Sequence, residues 1–128
     1  MDSDLKKLII QIILDYKEKG PQWKPGKDLI HLKKRITRRD IPLESTLEEY
    51  NNLITDIVTN IQSNVHIYHL EHFAQRYIIF SANNWIIIIG EDRSMETAMT
   101  TKSSDRYLSK EKGYNYIGTV KEVFSWIE

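Results

Sequence analysis

With 128 residues, 41% of them hydrophobic and 28% charged, the chain has the size and composition of one soluble globular domain with its own core. The lack of cysteine excludes disulfides, thiolate catalysis and cysteine-ligated zinc. A net charge of zero conceals opposed halves: residues 1–43 carry eleven Lys or Arg against six Asp or Glu, and residues 44–128 carry seven against twelve.

At the N-terminus, Lys6 and Lys7 precede an apolar run as in a signal peptide. Gln11 breaks that run, however, no small-residue cleavage site follows, and Asp2 and Asp4 oppose the reading. No stretch approaches the roughly 18 apolar residues of a membrane-spanning helix, so a cytoplasmic chain without membrane contact is expected. Leu5, Leu8, Ile9, Ile12, Ile13 and Tyr16 recur at helical spacing, between a Ser3 cap and a Gly20-Pro21 stop. Ile10 and Leu14 widen the stripe, so this helix (residues 1–20) is expected to pack on the body of the domain, or partly on a second copy of the chain.

Pro21–Gly26 is too short to separate two cores, and Trp23 should dock it on the body. Asp28 can cap a second helix that ends near Asp40, with Leu29, Leu32 and Ile36 turned inward. His31, Lys34, Arg35 and Arg38 then share the outward side. Between Trp23 and Arg39 lie seven bases and a single acid, Asp28. Such a cluster engages phosphate or simply forms solvated helix faces, and the sequence leaves both open. Thr46-x-x-Glu49 is a capping-box pattern, as is Ser45-x-x-Glu48. Leu47, Tyr50, Ile54, Ile57, Val58 and Ile61 follow as the stripe of a third helix reaching about Gln62.

From Val65 the period shortens. His66–His72, Arg76–Ser81, Trp85–Gly90 and Met95–Thr100 read as strands joined by turn residues, hence as antiparallel hairpins. Four isoleucines behind Trp85 mark a central strand covered on both faces, the second by a C-terminal helix or a partner. Arg106, Tyr107 and Leu108 suggest a helical turn, Gly113–Gly118 an edge strand, and Thr119 the cap of a helix over Val120–Ile127. The expected architecture is α+β: N-terminal helices packed on a four- to five-stranded antiparallel sheet, then a short C-terminal helix.

The candidate chemistry is sparse. His66, His69 and His72 tempt a metal reading, but His69 should point away from its neighbours, and His66 and His72 would lie roughly 20 Å apart on one strand. No metal site is expected, and in the absence of a Gly-rich phosphate loop, a nucleophile elbow or a cofactor fingerprint, no cofactor either. His31 can act as a base near neutrality, and neighbouring guanidinium groups bind phosphate. Glu96, Thr97 and Lys102 lie on or just beyond the fourth strand, bordering a cleft or forming a solvated edge. Tyr107, Tyr114 and Tyr116 can stack on a base or complete the core.

Trp85–Gly90, followed by Asp92 and Glu96-Thr97-Ala98 and preceded by the helix Thr46–Ile61, resembles the barnase–EndoU–colicin–RelE group of compact RNases, in particular its toxin-type domains. The resemblance covers roughly residues 29–119. It implies metal-independent RNA cleavage by attack of a ribose 2′-hydroxyl, with His31 and Arg35 as helix-borne groups and Thr97 on the strand facing them. The basic helix face and the polar strand beside it add Lys102 as an assisting group, and Lys33, Lys34, Arg38 and Arg39 as the bases expected to hold nucleic acid. The chain departs from the pattern at Arg93, where glycine is expected, and in its neutral charge. Two other readings stand beside it. One is a non-catalytic interaction module, of antitoxin or immunity type or oligomerising. The other is a nucleic-acid-binding protein without cleavage.

Overall fold

The computed structural model describes residues 3–62, 64–71 and 75–125. The elements are α1 (Ser3–Lys19), α2 (Lys27–Thr37), α3 (Leu47–Thr59), β1 (His66–Glu71), β2 (Arg76–Ala82), β3 (Trp85–Gly90), β4 (Met95–Thr100), α4 (Ser104–Tyr107), β5 (Asn115–Thr119) and α5 (Val120–Ser125). The strands form one antiparallel sheet in the order β4-β3-β2-β1-β5. This is the α+β architecture that the periodicities predict. His72 and Ile127 lie outside the described residues.

Alternation along the strands separates two faces. Ile67, Ile78, Phe80, Ile87, Ile89 and Ala98 pack beneath Leu5, Ile9, Ile12, Ile13 and Tyr16 of α1 and Tyr50, Ile54 and Val58 of α3. Ile79, Ile86 and Ile88 face the other way and pack with Leu108, Tyr68, Tyr77, Tyr107 and Tyr114. Ile86–Ile89 are therefore all buried, as a doubly apolar strand requires. The cover of the second face differs from expectation. α5 inserts Val120 and Val123 into the core on the α1 side, and the second face is closed by the segment between β4 and β5, through Leu108. A helix can serve only the face toward which its strand exit directs it, and the bond from Val120 N–H to Val65 O (3.0 Å) sends α5 toward α1.

Local chemistry sets the element ends. Thr46 Oγ1 accepts from Glu49 N–H (3.1 Å) and Glu49 Oε1 accepts from Thr46 N–H (3.0 Å), so the Thr46 capping box, not the Ser45 alternative, starts α3. α3 stops at Thr59, and Ile61, expected on its stripe, is exposed. α2 begins after Gly26, whose φ of 80° suits glycine, and Asp28 is its second residue rather than its cap. Asn83 and Asn84, both at positive φ, make the two-residue β2–β3 turn. In the β3–β4 turn Arg93 has φ 70°, a conformation that costs a non-glycine residue about 1 kcal/mol. Two contacts to α1 hold it there: Arg93 Nη1 donates to Asp15 (2.7 Å), and the Tyr16 hydroxyl donates to Arg93 O (2.7 Å). On the outer face of α1, Ile10 is half-buried and Leu14 exposed.

Candidate active site

The outer edge of β4 is where the polar residues gather. The linker before α2 is pinned there by a bond from Met95 N–H to Gln22 O (2.9 Å). Next to it, Trp23 donates to Asn51 Oδ1 (2.8 Å), stacks on Tyr50 at 5.8 Å between ring centroids, and lies 5.0 Å from the His31 ring. The Tyr50 hydroxyl, its pKa raised by burial, donates to Ala98 O (2.6 Å). Trp23 thus docks the linker on the body, as expected, and its ring also forms a wall against His31.

α2 is attached differently from its neighbours. Its single buried residue is Arg35, 2% exposed, expected on the outward face with His31. The reason lies beyond the helix end. Arg35 Nη1 donates to Asp40 Oδ2 (2.9 Å), and Asp40 Oδ1 accepts from Thr100 Oγ1 (2.5 Å), so a buried ion pair bolts the C-terminal turn of α2 to β4. Arg35 Nε is buried with no hydrogen-bond partner. Leu29, expected inward, is 60% exposed, because the buried side of α2 is turned toward Arg35.

Between α2 and β4 opens a groove of about 540 Å³. Lys24, Lys27, His31 and Lys34 line one side, Met95, Glu96, Thr97 and Met99 the other, with Ile88 and Tyr107 from the sheet's second face. His31 Nδ1 stands 3.4 Å from Thr97 Oγ1, the long end of hydrogen-bond range. Burial lowers the His31 pKa, and the charges of Arg35 and Lys34 lower it further, against a smaller opposing pull from Glu96. The imidazole is therefore held neutral near pH 7, the form that accepts a proton.

Of the residues singled out from sequence, the fold brings His31, Thr97 and Lys34 together in this groove. Arg35 stands behind it, engaged with Asp40. Lys102 is exposed and does not line the groove. Lys33, Arg38 and Arg39 are exposed as well, with Arg39 beside Ile41 and Leu43 at the far end of α2. Sequence reasoning missed Lys24 and Lys27 as site residues, although Lys27, His31 and Lys34 share the i, i+4, i+7 spacing of one helix face. It also missed Asp40, whose role depends on a contact distant in the chain, whereas Tyr107, expected to stack on a base or complete the core, lines the groove. His66 and His69 lie on opposite faces of β1, with His66 Nδ1 2.9 Å from the Tyr116 hydroxyl. Among the described residues no group of acidic or histidine side chains is arranged to hold a metal ion.

In three comparisons with known proteins, no family model, no curated protein and no solved structure matched this chain.

Proposed function

We propose that the chain is a metal-independent RNase-like domain of toxin type, cleaving RNA in the groove between α2 and β4. The observation that carries this reading is His31 facing Thr97 in a groove lined by three lysines. The Lys24, Lys27 and Lys34 ammonium groups neutralise the phosphate and the charge that grows on it during displacement. His31 removes the proton of the 2′-hydroxyl, whose oxygen attacks phosphorus, and Thr97 orients the imidazole or the hydroxyl. The bond from phosphorus to the 5′ oxygen breaks, and that oxygen takes a proton from a groove ammonium, with Lys34 one turn along from His31. The products are a 2′,3′-cyclic phosphate and a free 5′-hydroxyl. Arg35 acts from behind the groove, through the placement of α2.

Purified protein incubated with RNA in EDTA should yield cyclic-phosphate ends, and His31→Ala should lower the rate about a thousandfold, within the range for a lost general base. Because the base must be unprotonated, the rate should fall on acidification, with its half-point below the ordinary imidazole value of 6.5. Intact RNA with wild-type protein, or cleavage unaffected by His31→Ala, overturns the reading. Intact RNA accompanied by salt-sensitive binding makes the chain a binder without cleavage.

A further inference from the structure

Tyrosine is unevenly distributed in this fold. Five of the seven, Tyr68, Tyr77, Tyr107, Tyr114 and Tyr116, lie on or against the sheet's second face. Tyr68, Tyr114 and Tyr116 line a second groove of about 340 Å³ together with Leu108, Lys110 and Asn115. Tyr116 is 54% exposed, far more than a residue that completes a core. Its ring is nevertheless oriented: it meets Tyr68 edge-on at 5.3 Å, and its hydroxyl is bonded to His66. A ring fixed before binding loses little conformational entropy on stacking.

The two grooves adjoin. Tyr107 lines the first, Tyr114 lines the second, and their ring centroids are 5.9 Å apart. The polar equipment of the second groove suits a base edge: one Asn115 amide hydrogen goes to Gly113 O (3.3 Å), leaving a second donor and the carbonyl acceptor, and Lys110 adds donors. Its charge is mixed, because Asp105 acts on Tyr68 and Glu122 on Tyr116. Stacking rather than charge must then supply affinity there.

We infer that the Tyr68–Tyr114–Tyr116 groove holds a nucleobase of a single-stranded nucleic acid whose phosphate backbone continues into the lysine-lined groove. This rests on the proposed function only in taking the first groove as a phosphate site. A duplex keeps its bases stacked inward and cannot offer one to these rings, so the site selects unpaired strands.

The test is fluorescence anisotropy with 2′-O-methyl RNA, which binds but cannot be cleaved, comparing a labelled trinucleotide with an octanucleotide in low and high salt. The octanucleotide should bind about tenfold more tightly, the gain expected from stacking one base. Tyr116→Ala should abolish most of that gain at both salt concentrations, and Asn115→Ala, at an exposed position, should reduce it should Tyr116→Ala fail to fold. An unchanged gain in both variants overturns the inference. So does adenosine monophosphate displacing the octanucleotide as well as unlabelled octanucleotide does, or a duplex binding equally tightly. Tyr116-dependent binding alongside intact unmodified RNA removes the catalytic reading and leaves the inference standing.

Discussion

α2 and α3 are neighbouring helices of 11 and 13 residues, yet they are held by opposite means. α3 buries Tyr50, Ile54 and Val58 in the main core and starts with a complete capping box. α2 buries no apolar side chain fully, has no side-chain cap, leaves Leu29 and Ile30 largely exposed, and is fastened by Arg35, Asp40 and Thr100. Apolar burial is non-directional and tolerates small shifts, whereas a buried ion pair works only near one geometry. The helix that presents His31 to Thr97 is therefore the one whose position is set by directional bonds. The pillar is greasy and the site-bearing helix is bolted.

Three substitutions would break or sharpen this contrast. Ile54→Ala leaves a cavity under α3 and should lower unfolding stability by about 3.5 kcal/mol, read by urea denaturation, with the whole core weakened in one transition. Asp40→Asn strands the buried Arg35 charge and should cost about 3 kcal/mol. Its signature differs: amide exchange should accelerate in α2 while β2 and β3 remain protected, and a uniform acceleration would count against a separately bolted helix. Thr46→Ala removes one arm of the capping box, with an expected loss of about 1 kcal/mol and fraying limited to the first turn of α3. Were it to match Asp40→Asn in cost, local capping would be setting the position of α3.

The same contrast explains what the sequence made legible. α1, α3 and the four hairpin strands announce themselves by period, and Thr46-x-x-Glu49 and Asn83-Asn84 mark their boundaries, because those signals are local. Helical spacing assigns charge to the outside, and α2 departs from that rule. Arg35 turns inward for a partner that lies past the helix end and is itself held by Thr100, sixty residues away. His31 and Thr97 could be named as candidates, but their meeting depends on that same distant fastening. The cover of the second face escapes the pattern for a related reason: Leu108 lies in a polar segment with no periodicity to reveal its burial. Arg93 is the converse case. Its departure from the glycine that the resemblance expects falls on a residue with φ 70°, and contacts from α1 explain how an arginine occupies that conformation.

The bonds along the outer side of β4 have a consequence for behaviour at high concentration. Edge strands invite other chains to add onto them, the first step of polymerisation. Here Gln22 occupies the Met95 amide, Tyr50 occupies the Ala98 carbonyl, and Trp23 stacks against Tyr50 beside them. The residues that fasten the linker and α3 to β4 thereby also blunt self-association at this end of the sheet. At the opposite end, β5 offers five residues broken by Gly118 at φ 152°, a short and irregular template for an incoming strand.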